Sequence, residues 1–231
     1  MIINDDFTKI KSLKGTSWHH QTGGHGFGNK ELQYYTDKST NLYFDSEGMH
    51  LKAIKEDYDK NHYTSCKIVS DVLFQYGKIT ITFSLPKIKG AWPAIWMLGE
   101  EIQKTHKWPS CGEIDIMEYV GRMPNVMHVS LHDEDFNHTK GNHRTYLYNL
   151  NEQKYHTLVF NWTSQGFSMT IDDVFVDLFK KPMIANHNNW NFDQPFFLMI
   201  NLAIGGYFGG EVDPNFSECE FVIQKIMVEE I

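Results

Sequence analysis

Positive charge is in short supply in this chain: 21 Lys and Arg stand against 29 Asp and Glu, for a formal charge of −8. Phosphates are repelled on average by such a balance, and no basic stripe offsets it, so neither nucleic acid nor an anionic membrane is expected as a partner. Cysteine is scarcer still. Cys66, Cys111 and Cys219 are too few and too far apart for a disulfide framework, and at least one must be free. No CxxC and no Cys/His cluster of zinc type occurs, so no metal site is expected. No run of about 18 apolar residues is present, which excludes a membrane-spanning helix. The opening "MIINDDFTKI" has no basic stretch followed by an apolar one, so no signal peptide is read there. A cytoplasmic address follows if the sequence is complete, and a secreted one if a leader was removed. Helical periodicity is missing as well, since no segment sustains an apolar stripe at helical spacing over four turns.

What the chain does hold is aromatic and strand-forming. Apolar residues make up 41% and aromatics 14% of its 231 residues, with six Trp, eleven Tyr and sixteen Phe. That is more than a core of this size needs, so some rings are expected on a binding surface. Short apolar runs bounded by Gly, Pro, Asn and Asp recur along the chain: "GMHLKAI" (48–54), "GKITITFSL" (77–85), "AIWML" (94–98), "NVMHVSL" (125–131), "YHTLVFNW" (155–162), "PFFLMINLAI" (195–204) and "CEFVIQKIMVEE" (219–230). Several alternate with period two and are rich in Ile, Val, Thr and Phe, the signature of half-buried strands. Strands at regular intervals with turns between them predict an all-β sandwich, read as one domain over residues 1–231 because no linker or repeat interrupts it. "SQGFSMTIDD" followed by "VFVDL" predicts a hairpin turning at Asp172-Asp173. The Gly-rich "QTGGHGFGNK" (21–30) lacks the Lys-Ser/Thr of a phosphate loop and is expected at the rim of a cleft.

The informative stretch is "GEIDIMEYVG" (112–121). On a regular strand Glu113 and Asp115 share a face, while Glu118 falls on the other with Ile114 and Ile116. An exposed edge would explain the acids, yet nothing basic lies nearby in sequence to relieve their repulsion. A β-bulge near Met117 resets the alternation and returns Glu118 to the face of Glu113 and Asp115. Two carboxyls facing one cleft are what a retaining glycoside hydrolase needs, with a separation of about 5–5.5 Å between nucleophile and acid/base.

With these residues in view, the chain resembles glycoside hydrolase family 16 in its bulged, laminarinase-like form. "GNKELQYYTD" (28–37), "GAWPAIWMLG" (90–99), "WPSCGEIDIMEYVG" (108–121) and "NLAIGGYFGG" (201–210) are similar to laminarinase segments in order and spacing. The resemblance implies a β-jelly roll of two antiparallel sheets with a concave substrate groove. It implies Glu113 as nucleophile, Glu118 as general acid/base and Asp115 as the assisting carboxylate. Trp92 and Trp96, four apart and so on one strand face, fit either a core or a groove, and the resemblance places them in the groove. Trp108 is expected as a further wall. Asn29 is expected at sugar hydroxyls on the glycone side, with Glu31 either assisting or holding its loop, and Tyr34 and Tyr35 as packing. His128 and His132 in "HVSLH" are about 13 Å apart on a strand, too far to share a metal. His132 resembles the family histidine beside the carboxylates. The other ten histidines are expected mostly in solvent.

Two departures stand out. Lys67 and Thr82 occupy positions where many laminarinases carry Arg, which would weaken or redirect glycone-side contacts because Lys cannot repeat a bidentate fork. Gln224 stands near an Asp that in relatives binds structural calcium, and its amide is a poorer ligand. No cofactor is therefore expected to be required, and structural calcium is disfavoured. The function expected is endo-acting hydrolysis of β-1,3-glucan of laminarin type, with mixed-linkage β-1,3-1,4-glucan as a further candidate, by a monomer. A transglycosylase or galactan hydrolase of the same fold, and a non-catalytic lectin, are the alternatives.

Overall fold

The computed structural model describes all 231 residues and contains seventeen strands. In chain order they are β1 (Ile3–Asp6), β2 (Trp18–His20), β3 (Gln33–Tyr35), β4 (Leu42–Phe44), β5 (Met49–Ile54), β6 (Tyr63–Ser65), β7 (Lys67–Phe74), β8 (Gly77–Ser84) and β9 (Ala91–Gly99). After them come β10 (Glu113–Tyr119), β11 (Val126–His132), β12 (Arg144–Asn149), β13 (His156–Thr163), β14 (Gly166–Ile171), β15 (Val174–Lys180), β16 (Phe196–Ile204) and β17 (Glu218–Glu229). Helix is confined to α1 (Glu101–Thr105), α2 (Gly206–Gly209) and 3-10 turns at Gly26–Gly28 and His138–Lys140.

Two sheets stack as a jelly roll. The first runs β15-β14-β13-β8-β17-β5-β6-β3, with β1 on β17 and β4 on β5; the second runs β12-β11-β10-β9-β16-β7-β2. All pairings but one are antiparallel. The two sheets are antiparallel as expected, with one exception at β3 and β6, which pair in parallel from Gln33↔Tyr63 to Tyr35↔Ser65. Both strands are short, only β3 lies at the sheet edge, and a long connection carrying β4 and β5 separates them, so no tight turn dictates their relative direction.

Alternation does what the period-two pattern requires. In β8 Ile79, Ile81 and Phe83 are fully buried while Lys78, Thr80 and Thr82 face outward. Burying each such apolar side chain contributes about 1.5–3 kcal/mol. β16 looks different because all nine of its residues are buried. Phe196, Leu198, Ile200, Leu202 and Ile204 enter the main core between the sheets; Phe197, Met199 and Ala203 pack on the other side of the strand. A continuous apolar run is the mark of a strand covered on both faces. The hairpin turns at Asp172 and Asp173, whose positive φ values of 49° and 67° are those of the turn that matches strand twist. Thr82 is a correction: it pairs with Thr157 on the outward face of the first sheet, Oγ1 to Oγ1 at 3.2 Å, and makes no part of a sugar groove.

Candidate active site

β10 carries the acids, and its register explains their placement. Against β11, Glu113 lies opposite His132, Asp115 opposite Ser130 and Glu118 opposite His128, so three steps on β10 match two on its neighbour. Against β9, Asp115 lies opposite Trp96, Met117 opposite Ile95 and Glu118 opposite Ala94. One extra residue is therefore inserted with respect to both neighbours. Ile116 and Met117, consecutive in sequence, both enter the main core. That double inward step turns Glu118 outward, beside Glu113 and Asp115.

Entry to β10 is fixed by Gly112, which has φ +77° and sits where a Cβ would come within 2.6 Å of the Asn191 carbonyl oxygen. Gln194 Nε2 donates to the Cys111 carbonyl at 3.0 Å and ties the same turn down. The turn delivers Trp108, whose indole N–H donates to Glu113 Oε2 at 2.9 Å. Trp92, on β9, donates its indole N–H to Glu118 Oε1 at 3.0 Å. Asp115 lies between the glutamates, with its Oδ2 at 3.1 Å from His132 Nε2; Glu113 Oε1 is 3.9 Å from the same nitrogen. Ligating atoms of Glu113, Asp115 and His132 all fall within 4.8 Å of one another, a set that could hold a cation.

Burial pushes the carboxyl of Asp115 up to about 8. Glu113 rises to about 8 through burial and the neighbouring Asp115, with His132 and the Trp108 hydrogen bond pulling the other way. Glu118 follows to about 8 for the same reasons, opposed by His132 and Trp92. Crowded in this way, the three cannot all ionise near neutral pH, so the cluster retains a proton there. One acid keeps a proton to give while another is free to attack.

The cleft above these groups measures about 730 Å³. Asn29, on the loop expected at a rim, lines it together with Trp92, the three acids and His132. Trp96 lies on the same face but outside the main cavity: its N–H donates to Asn201 Oδ1 at 2.7 Å, and Lys67 Nζ sits 4.7 Å from the centre of its ring. Lys67 is buried, with the Phe27 ring 5.1 Å away on another side. Burial lowers its ammonium to about 8, against the fields of Glu31 and Glu113. Glu31 holds its loop through a network, accepting from Gln33 Nε2 at 2.6 Å and Tyr35 OH at 3.0 Å. Tyr35 is buried, as a packing role requires.

Several lining residues had no signal in the sequence. Ser130, Thr145 and Leu147 follow from alternation once β11 and β12 are paired. His138, Thr139 and His143 arrive on the long connection between those strands, and Tyr207 and Phe208 on α2. Most of the remaining histidines are exposed, as expected, but four have a definite setting. His138 and His143 line the cleft, while His50 and His156 are buried and paired with carboxylates elsewhere.

Similarity to known proteins agrees with this geometry. Residues 25–222 match the family model of the glycosyl hydrolases family 16. A beta-glucanase from Rhodothermus marinus is 33% identical over 240 residues, covering 99% of this chain and 84% of that protein. A glucan endo-1,3-beta-glucosidase from Cryptopygus antarcticus is 31% identical over 87% of this chain and 80% of its own length. The crystal structure of a laminarinase from Flavobacterium sp. UMI-01 superposes with a TM-score of 0.88 at 37% identity, covering 100% of both chains.

Proposed function

The chain belongs to glycosyl hydrolase family 16 and is an endo-β-1,3-glucanase, and we propose that it cuts β-1,3-glucan by double displacement on Glu113 and Glu118. The observation that carries the assignment of residues is the bulge, which sets both glutamates and Asp115 on one face with each glutamate held by an indole N–H.

In the first step Glu118 gives its proton to the glycosidic oxygen as the Glu113 carboxylate attacks the anomeric carbon. The C–O bond to the leaving sugar breaks and a glycosyl ester forms on Glu113. In the second, Glu118 takes a proton from water, the hydroxide adds to the anomeric carbon, and Glu113 leaves as carboxylate. Two inversions give net retention. Asp115 sits between the partners and shares His132, so it orients Glu113 and tunes which carboxyl keeps the proton. Trp108 and Trp92 hold their carboxylates at fixed angles, which keeps the reacting oxygens aligned.

The substrate is β-glucan, entered along the cleft away from the chain ends in this reading. A time course of products on laminarin and on mixed-linkage barley glucan tests this reading. Oligosaccharides of many sizes appearing early on laminarin are expected. Release of one small sugar only would overturn endo action, and no new reducing ends on either polymer would overturn the substrate class.

A further inference from the structure

His132 has a second nitrogen that the reaction does not use. Its Nε2 lies 3.1 Å from Asp115 Oδ2, so with Asp115 ionised the ring proton sits on Nε2 and Nδ1 keeps a lone pair. That Nδ1 is buried and has no hydrogen-bond partner. A histidine that donates one N–H to a carboxylate while its other nitrogen stays free is arranged as metal-ligating histidines are.

Two more imidazoles stand against this ring. The His138 ring centre lies 5.4 Å from that of His132 and the His143 ring centre 5.6 Å from it. Two imidazoles on one tetrahedral zinc, with Zn–N bonds of about 2.0–2.1 Å, have their ring centres roughly 5 Å apart. The rings are thus already spaced for a shared ion, and rotation about side-chain torsions of the exposed His138 and His143 is what would aim their nitrogens. Four residues separate His138 from His143, within the spacing common among zinc-binding histidine pairs. Their loop is anchored at its base: Arg144 pairs with buried Asp133 at 2.7 Å, and Asn137 Nδ2 donates to the Asp133 and Glu134 carbonyls at 3.1 and 3.2 Å.

We propose that His132 Nδ1, His138 and His143 bind one divalent transition ion of the zinc or copper(II) class, and that the bound ion inhibits the glucanase by occupying the cleft. Imidazole donors select such ions over calcium or magnesium, which require oxygen. The cluster of Glu113, Asp115 and His132 uses the opposite nitrogen of the same ring, so the two places are distinguishable. Glucan and ion compete for one space, and inhibition appears in KM rather than kcat.

Calorimetric titration of the whole, tag-free chain with Zn²⁺, with Ca²⁺ as control, tests the site independently of turnover. Co²⁺ in place of Zn²⁺ adds the visible bands of tetrahedral coordination. One Zn²⁺ per chain is expected, with affinity at least about tenfold weaker in His143→Gln and in His138→Gln. Laminarin hydrolysis, measured in each variant against its own metal-free rate, should become correspondingly less sensitive to Zn²⁺. Absence of Zn²⁺ binding would overturn the proposal. So would affinity unchanged in both histidine variants but lost in Glu113→Gln, which would put the ion on the carboxylates.

Discussion

Glu113 and Glu118 lie on one strand face with similar burial and similar hydrogen bonds, so their difference in role lies in what each does with a proton. Glu113 forms the bond to sugar, and no substrate escapes that requirement. Glu118 is needed in proportion to how poorly the leaving group carries charge. Glu113→Ala should therefore abolish turnover on laminarin and on activated aryl glycosides alike. Glu118→Ala should lose about 10²-fold or more on laminarin while keeping most of its rate on aryl glycosides with acidic leaving groups. Values of kcat/KM on the two substrate classes check this; equal losses for both variants on both classes would refute the division of labour.

At the scale of an element, the bulge in β10 couples packing to chemistry. Ile116 and Met117 both sit in the core without exposed surface, and their insertion is what turns Glu118 toward Trp92. Met117→Ala removes buried volume at the point where the strand is least constrained by its neighbours. A loss of about 2–4 kcal/mol is expected, which lowers the melting temperature by about 5 °C or more. Activity measured below that temperature should fall in kcat more than in KM, because a relaxed bulge displaces the acid without altering the floor of the cleft. An unchanged kcat would mean that backbone pairing alone sets the bulge.

For the whole molecule, the carboxyl cluster is a cost to stability that varies with pH. Burial raises Glu113, Asp115 and Glu118 to about 8 in the folded protein, whereas in the unfolded chain such groups ionise near 4. Between those limits the unfolded state binds fewer protons than the folded one, so stability is full below about pH 4 and falls as pH rises toward 8. Glu113→Gln removes one of these groups. It should raise the melting temperature by at least about 2 °C at pH 7.5 and by nearly nothing at pH 4.5, read by calorimetry at the two values. A second expectation concerns calcium. Gln224 Nε2 donates to the Glu47 carbonyl at 3.2 Å, so its amide nitrogen already occupies an oxygen that a cation could have used. We propose that no structural calcium is held there, and that EDTA shifts the melting temperature by less than about 1 °C. A fall of several degrees would refute it.

Local physics made much of this protein legible in one dimension. Period-two burial marks β8; two positive-φ aspartates mark the β14–β15 turn; the broken alternation from Glu113 to Glu118 marks the bulge. Each is a property of consecutive residues, where backbone geometry alone dictates which side a side chain takes. Pairing across long stretches of chain is not such a property. Only the folded structure placed β16 between β9 and β7, set Thr82 on the sheet away from the cleft, and ran β3 parallel to β6. The same holds for the walls of the site. His138, His143 and Phe208 come from connections whose paths depend on distant anchors such as the Asp133–Arg144 pair. The proton affinity of the three acids belongs to that level too, since it is set by burial beneath those walls, and burial is a property of the assembled sheets.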